Sequence, residues 1–260
     1  MGRLLTLPGR YYRTLPINDT GYETETLELE PAKTAFVGMH CWNIGCADGP
    51  EIDPDYCVGM GFYENLAEGE RIIIEAIRPA MDAARAAGIL VCHVESGTIG
   101  AKHPEAQEDL DPPAEPAPMP PEVVPGWRQH ILARAHGADY ATLSPYARMD
   151  RAQVVAPLPG EPYAYQTGQF DRLLRRHGIE NLIYSGFATD MCILRSGGGI
   201  EPMAPYGYRL FLMRDATLGV EHPNTFHERI ATRWAIAYFE AHYGDTVTLA
   251  DFVKACEALQ

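Results

Sequence analysis

Residues 173–193 read LLRRHGIENLIYSGFATDMCI, which is the end of a predicted helix, a buried strand and a tight turn in direct succession. The helical pattern covers residues 168–178 and ends at Gly178, a residue type that suits a helix C-cap. The run NLIYSGF at 181–187 is short and almost continuously apolar, as expected for a strand buried on both faces of a parallel sheet. A helix that leads directly into such a strand is typical of an α/β fold.

The same alternation of apolar runs and helical patterns continues along the chain. Five further predicted strands are TAFVGMH (34–40), GILVCHVE (88–95), AQVVA (152–156), YRLFLMRD (208–215) and the weaker DTVTL (245–249). Helical patterns cover residues 71–88, 127–137, 168–178 and 222–244. We therefore predict a single doubly wound α/β domain at residues 34–260, with a parallel sheet of about six strands, helices on both faces and right-handed crossovers.

Three segments do not fit this alternation. Residues 1–33 lack sustained helical or strand periodicity, so they are predicted to form an N-terminal arm laid over the domain or over a partner subunit. Residues 111–125 contain seven prolines, which favour extended and solvated backbone. Residues 196–207 contain three consecutive glycines and two prolines, which interrupt a helix.

The composition excludes several classes of partner. The 260 residues are 46% hydrophobic and 22% charged, as in ordinary globular domains, and their formal net charge is -14. A negative chain repels nucleic-acid phosphates and anionic lipid surfaces, so neither nucleic acid nor a membrane is an expected partner. No run of roughly 18 apolar residues indicates a membrane helix, and the six cysteines are too sparse for a disulfide scaffold. We expect reduced thiols and a cytoplasmic location.

Cys192 is placed where a thiol can act as a nucleophile. It follows the predicted strand by one tight turn, and Thr189 or Asp190 can cap the helix whose first turn contains it. The positive end of a helix favours the thiolate, and the unpaired N–H groups of that turn can hold an oxyanion. A buried core cysteine is the alternative interpretation of the same position.

This region resembles the isochorismatase-like cysteine hydrolases, which include nicotinamidases, carbamoylsarcosine amidohydrolases and ureidoacrylate hydrolases. The resemblance covers about residues 34–255 and is most specific in the Gly-x-x-Thr-x-x-Cys spacing that ends at Cys192, with Asp215–Ala216 following the next strand. It implies that Cys192 cleaves the C–N bond of a small amide, carbamoyl or ureido substrate through a thioester intermediate. It also implies a cis peptide at Phe187–Ala188 and an oxyanion hole formed by the N–H groups of Ala188 and Cys192.

The Asp, Lys and Cys triad that is usual in that family is incomplete here. His40 stands where an Asp ends the first strand, and no lysine occurs between Lys102 and Lys254. The resemblance makes the first strand and the strand before Cys192 neighbours at the topological switch point, where ligands bind. We therefore predict that His40 takes the proton of the Cys192 thiol, with titration near the ordinary imidazole pKa of about 6.5. The alternative role of His40 is a hydrogen bond within a polar pocket.

Side chains near the predicted strand ends are assigned to the substrate pocket. Glu161 lies in the segment that would contain the family lysine, and we expect it to orient the His40 imidazole. The other predicted pocket residues are Trp42, His93, Glu95, Tyr165 and Phe187. Because relatives with this resemblance commonly form dimers or tetramers, we expect a homo-oligomer in which the three irregular segments pack across the interface and shape the pocket mouth.

Two other classes of function remain open. Zinc-type side chains lie close together in the sequence, which would suit a metal-assisted hydrolase. They are His40, Cys41, Cys46 and Asp48, with His93 and Glu95 at the end of the second predicted strand. Their spacing matches no recognised zinc pattern, so we predict that no metal or other cofactor is bound. The remaining class is a catalytically degenerate protein that binds small molecules.

Overall fold

The computed structural model describes residues 2–52, 62–112, 120–140, 144–145 and 148–260. The strands in these ranges are β1 (Leu5–Arg13), β2 (Gly21–Leu29), β3 (Thr34–Met39), β4 (Leu90–Val94), β5 (Tyr163–Ala164), β6 (Asn181–Phe187), β7 (Arg209–Leu218) and β8 (Gly244–Val247). They form one sheet in the order β2-β1-β8-β7-β6-β3-β4-β5. The six strands from β8 to β5 are parallel, whereas β1 is antiparallel to both of its neighbours. The predicted α/β fold with a mainly parallel sheet is confirmed, with eight strands in place of about six.

The N-terminal segment is the first correction. Residues 1–33 were predicted to lack strands, but β1 and β2 form a hairpin that extends the sheet beyond β8. Each strand of the hairpin buries only two leucines, at alternating positions, and leaves its remaining side chains half-buried or exposed. The alternation is therefore too short to stand out in the sequence. Because β8 and β7 separate the hairpin from β6 and β3, this segment does not form the pocket mouth of its own chain.

The run AQVVA is the second correction. It was predicted as a strand, but Gln153–Val155 is a 3-10 turn, and β5 takes the place beside β4. Its backbone groups bond outside the sheet, since Ala152 N–H donates to the Cys41 carbonyl at 2.9 Å and the Val154 carbonyl accepts from Arg78 at 2.7 Å. The other five predicted strands are confirmed.

The helices lie on both faces of the sheet, as predicted. They are α1 (Tyr63–Ile72), α2 (Arg78–Ala86), α3 (Gly97–Gly100), α4 (Trp127–His136), α5 (Thr167–Arg176), α6 (Cys192–Arg195), α7 (Ile200–Met203), α8 (Ile230–His242) and α9 (Leu249–Glu257). A π-helical segment, Ile73–Ile77, joins α1 to α2, so the helix predicted at 71–88 begins earlier than expected. The helix predicted at 222–244 begins only at Ile230, because turns precede it. Among the described residues, no helix is both long and apolar enough to cross a bilayer.

Two apolar cores hold the helices to the sheet. One core joins α1, α2 and α9 to the first face, and there Phe36 of β3 contacts Phe252 at 5.7 Å between ring centroids. The other joins α5 and α8 to the opposite face through side chains such as Phe170 and Phe239. The sheet is therefore covered on both sides, and its strand ends are the places left for a site.

The packing of the hairpin leads to a stability prediction. Leu27 in β2 is 1% exposed within the core, whereas Leu15 in the hairpin loop is 72% exposed. We expect Leu27→Ala to lower the free energy of unfolding by about 2–5 kcal/mol, because it removes buried methyl groups and leaves a cavity. Leu15→Ala is the matched control and should change it by less than about 0.5 kcal/mol. Denaturant unfolding measures both values, and equal small effects would show that the hairpin is not packed as described.

Candidate active site

The carboxyl ends of β3 and β6 lie against each other at one edge of the sheet. Met39 pairs with Gly186 in parallel register, and a Cβ atom at Gly186 would lie 1.8 Å from the Met39 carbonyl oxygen. Gly186 also has φ of +112°, a conformation that favours glycine. His40 follows β3 and Phe187 ends β6, so the two residues leave the sheet side by side.

A tight turn connects β6 to Cys192, the first residue of α6. The peptide bond between Phe187 and Ala188 is cis, as the family resemblance implies. The carbonyl of Ala188 accepts hydrogen bonds from the N–H groups of Met191 and Ile193, at 3.1 and 3.0 Å. Because Ile193 follows Cys192 directly, these bonds hold the cysteine close to the end of β6.

The predicted helix cap at this turn is wrong. Met191 is the N-cap residue, and no side chain caps α6. Thr189 instead hydrogen-bonds Thr217 on β7, with 2.7 Å between the hydroxyl oxygens, and Asp190 accepts from the N–H of Val220 at 2.9 Å. Both side chains therefore fix the turn to the neighbouring strand rather than satisfying the start of the helix.

The turn leaves two backbone donors available. In the part of the chain that the structure describes, the N–H groups of Ala188 and Cys192 donate to no protein acceptor. Cys192 itself is half-buried and packs between the two apolar cores. A thiol and two unpaired N–H groups on one rigid turn can serve as a nucleophile and a site for an oxyanion.

A narrow cavity lies where β3 and β6 end, and Phe187, the residue before the turn, contributes to its wall, whereas Ala188 and Cys192 are not among its lining residues. About 230 Å³ of empty space lies within the cavity and its opening to solvent, and the enclosed part is about 10 Å³. That is room for about one water. Described residues that line it are His40, Trp42, Ile44, Leu66, Gly69, Ile73 and Phe187. Trp42 and Phe187 were among the predicted pocket residues, whereas the wall supplied by α1 and the π-helical segment was not foreseen.

His40 is the titratable side chain in this wall. It is 2% exposed, and its backbone has φ of +49°, which is uncommon for residues other than glycine. Its ring stacks on Trp42, with 5.0 Å between centroids, and neither ring nitrogen makes a hydrogen bond of good geometry, although the Glu95 backbone lies close enough to raise the pKa slightly. Burial, together with the positive charge of Arg151, lowers the pKa of His40 to about 3. The imidazole is therefore neutral at physiological pH and does not titrate near 6.5.

Arg151 is the residue that the sequence interpretation missed. Its guanidinium is 3% exposed and forms an ion pair with Glu95, with 2.6 Å between Nη2 and Oε1. It also contacts Nδ1 of His93 and donates to the Gly38 carbonyl at 3.2 Å. The sequence prediction considered only lysine as the cation of the site. The sequence feature that could have indicated Arg151 is its position directly before the apolar run at 152–156.

The buried ion pair connects to the cavity wall. The second carboxylate oxygen of Glu95 accepts from the indole N–H of Trp42 at 2.9 Å, and Trp42 stacks on His40. Burial raises the pKa of the Glu95 carboxyl above its ordinary value, and the guanidinium and the indole N–H oppose this rise by favouring the ionised form. Arg151, Glu95 and Trp42 therefore form a continuous support behind His40.

Glu161 does not orient His40, which corrects that expectation. Its carboxylate bonds Nε2 of His93 at 2.8 Å and accepts from Arg85 at 2.7 and 3.0 Å. Burial raises the pKa of Glu161, but the hydrogen bonds from His93 and Arg85 outweigh it and bring the pKa to about 2. Glu161 fixes the ring of His93 instead, through the same carboxylate that accepts from Arg85 of α2.

The other predicted pocket residues lie outside the described cavity wall. His93 and Glu95 are buried in the ion-pair network. Tyr165 packs its ring against Gly97 and donates from its hydroxyl to Gln107 at 3.3 Å. The described cavity wall therefore contains fewer polar side chains than the sequence predicted.

The zinc-type side chains do not converge. Within the described ranges, no group of three or more His, Cys, Asp or Glu side chains is placed to hold a metal ion. The Cys46 thiol contacts the Trp42 carbonyl at 3.8 Å, and Asp48 accepts from the N–H of Gln153 at 3.0 Å. Among the described residues, no set of side chains is therefore placed to bind the metal ion that a metal-assisted hydrolase would need.

Comparison with known proteins identifies the family. No family-wide sequence model matches the chain. The ureidoacrylate amidohydrolase RutB of Azorhizobium caulinodans is 30% identical over 245 residues, which cover 89% of this chain and 93% of that protein. RutB of Enterobacter sp. strain 638 is 28% identical over 243 residues, covering 89% and 92%. The crystal structure of a cysteine hydrolase from Pseudomonas syringae pv. phaseolicola has the same fold, with a TM-score of 0.56, 15% identity and coverage of 89% and 96%.

The extent of the sequence match, the shared fold and the cysteine on the turn after β6 agree with one another. The chain belongs to the isochorismatase-like family of cysteine hydrolases and is a hydrolase of carbon–nitrogen bonds.

Proposed function

We propose that this hydrolase cleaves the C–N bond of a small amide, carbamoyl or ureido compound through a thioester on Cys192. The observation that carries the proposal is the half-buried Cys192 on a turn with two unpaired N–H groups. This turn follows Phe187, which lines the cavity at the carboxyl ends of β3 and β6. The relatives named ureidoacrylate amidohydrolase support a ureido or amide substrate. The partial exposure of Cys192 supports a catalytic role over the alternative of a buried core cysteine.

The reaction follows from the groups on the turn. The sulfur of Cys192 forms a bond to the carbonyl carbon, and the N–H groups of Ala188 and Cys192 hold the oxygen that becomes negative. The C–N bond then breaks, the nitrogen takes a proton, and an amine or ammonia leaves. Water adds to the thioester carbon, the C–S bond breaks, and the sulfur regains a proton.

His40 is proposed as the group that moves the proton. A proton acceptor must be neutral before the reaction, and burial keeps the imidazole neutral. The same burial opposes a stable imidazolium, so His40 would take the thiol proton only as the sulfur attacks, and would pass it to the leaving nitrogen. This differs from a stored thiolate–imidazolium pair, which needs a higher imidazole pKa.

The Arg151–Glu95 pair is proposed to position His40 through Trp42. The pair is buried, and Glu95 reaches the stacked His40–Trp42 rings through one hydrogen bond. Arg151 thus supplies the buried cation of this site in a chain that has no lysine between Lys102 and Lys254. A homo-oligomer, a cytoplasmic location and the absence of a cofactor remain predictions.

The nucleophile assignment is tested by Cys192→Ala. We expect turnover of amide and ureido substrates to fall by at least about 10³-fold, because the covalent step is lost. Cys46→Ala is the matched control, since Cys46 is also half-buried but lies outside the turn. Release of ammonia or amine measures the rate. Full activity in Cys192→Ala would rule out the thioester mechanism.

The proton-transfer role is tested by His40→Asn, which keeps a polar nitrogen but cannot exchange a proton. We expect kcat/KM to fall by about 10²- to 10⁴-fold. Because the His40 pKa is about 3, the ratio of wild-type to variant kcat/KM should stay constant from pH 8 to 5 and decline only as the pH approaches 3.

The control for this experiment is His177→Asn, at an exposed position after α5. A ratio that changes around pH 6.5 would show that the imidazole keeps its ordinary pKa. A ratio close to one at every pH would leave His40 with a structural role only.

The buried pair is tested by a double-mutant cycle. Arg151→Met leaves the Glu95 carboxylate buried without its cation, so we expect a loss of about 3–5 kcal/mol in the free energy of unfolding. Adding Glu95→Leu should recover most of that loss, because no buried charge then remains. Lys33→Met, at an exposed pair, should cost about 0–1 kcal/mol. Additive effects of the two core substitutions, measured by denaturant unfolding, would contradict the coupling.

A further inference from the structure

The cavity wall is apolar except for one neutral ring. Among the described residues that line it, none carries a charge at neutral pH, since His40 is held neutral. The remaining lining residues contribute aliphatic carbon, two aromatic rings and one glycine. An anionic group that entered this space would lose its hydration without gaining a positive partner from the wall.

Several arginines in this part of the fold have acidic partners, and Arg195, at the end of α6, approaches Glu201 at 3.9 Å. Arg151, behind the wall, is bound to Glu95, and Arg85 is bound to Glu161. Glu68 of α1 pairs both with Arg71 of the same helix and with Arg229, which precedes α8. The residues outside the described ranges include no Lys, Arg or His, and the chain has a net charge of -14. The sequence thus offers a substrate carboxylate little electrostatic attraction.

His40 instead offers two hydrogen bonds to an uncharged group. A neutral imidazole has one N–H donor and one acceptor nitrogen, and both nitrogens are buried without a hydrogen bond of good geometry, the Glu95 backbone being the nearest polar group. A carboxamide presents a carbonyl acceptor and an N–H donor, which match them. The stacked rings of His40 and Trp42 and the small enclosed space favour a thin, planar carboxamide group at the cavity, with the rest of the substrate in the opening to solvent.

We infer that this site takes small, uncharged, planar amides with an apolar carbon skeleton and discriminates against substrates that carry a carboxylate. The inference rests on the proposed function, because it concerns the substrate of the same Cys192 site. It separates this chain from the relatives it matches, since the acrylate part of the substrate that they are named for is a carboxylate.

The test uses two unsaturated amides that differ at the end remote from the amide group. Crotonamide ends in a methyl group where fumaramate has a carboxylate, and both have the same planar unsaturated amide. We expect kcat/KM of the wild-type protein to be at least 100-fold higher for crotonamide. Fumaramate hydrolysis that equals or exceeds crotonamide hydrolysis, and that is lost in Cys192→Ala, would overturn the inference while the proposed function stands.

A second variant tests the cause of the selectivity. A Cβ atom at Gly69 would have its nearest neighbour, the Phe187 ring, at 4.0 Å, so Gly69→Lys places a cation at the wall without a clash at Cβ. We expect it to raise the fumaramate-to-crotonamide ratio at least 10-fold. Ala67→Lys adds the same charge at an exposed position of α1 and should leave the ratio unchanged. Equal ratios in a folded Gly69→Lys and in Ala67→Lys would contradict the role of the cavity.

Alkylation gives a readout that needs neither turnover nor a variant. Iodoacetamide and iodoacetate deliver the same carbon to a thiol, but only iodoacetate is an anion. We expect the rate ratio of iodoacetamide to iodoacetate at Cys192, measured on the peptide by mass spectrometry, to exceed the ratio for glutathione at least 10-fold. A ratio equal to that of glutathione would overturn the inference. Absence of both hydrolysis and Cys192 labelling would overturn the proposed function and the inference together.

Discussion

The close contact of the β3 and β6 backbones is the constraint on which the site depends. Gly186 allows the two strands to approach until no side chain fits between them, and the parallel register then brings both strands to the same edge. His40 and the turn that leads to Cys192 leave the sheet at this edge, so residues 152 positions apart in the chain lie at the ends of neighbouring strands. A larger residue at Gly186 would force the strands apart and separate the cavity wall from the thiol.

Burial in a region of low dielectric constant determines the charge states and the strength of the ion pair around the cavity. Around His40, burial removes the water that would stabilise an imidazolium, so the ring is neutral and its nitrogens remain available. Behind the ring, the same burial makes the Arg151–Glu95 attraction strong and the loss of either partner costly. The cavity thus combines an apolar wall with a rigid charged support that does not reach into it. This arrangement suits chemistry on a neutral amide, where charge develops only during the reaction.

Local sequence patterns predicted some elements of this structure correctly and others incorrectly. Continuous apolar runs predicted the buried parallel strands, because such strands are covered on both faces. The same rule failed for AQVVA, whose valines pack in the core from a 3-10 turn, and for β1, whose two inward leucines are too few to give a clear period. Thr189 and Asp190 have the residue types of a helix cap, yet β7 and the loop after it offered them stronger bonding partners.

The sequence by itself determined the alternating fold, the strand–turn–cysteine motif at Cys192 and the position of His40 at the end of the first buried strand, since each of these is local in the chain. Only the tertiary structure decided that Arg151 pairs with Glu95, that Glu161 holds His93, and that α1 closes the cavity with aliphatic side chains. These features arise from contacts between distant segments, and burial then sets the protonation of His40. A residue's charge state and partners depend on what surrounds it in space, which local sequence patterns do not specify.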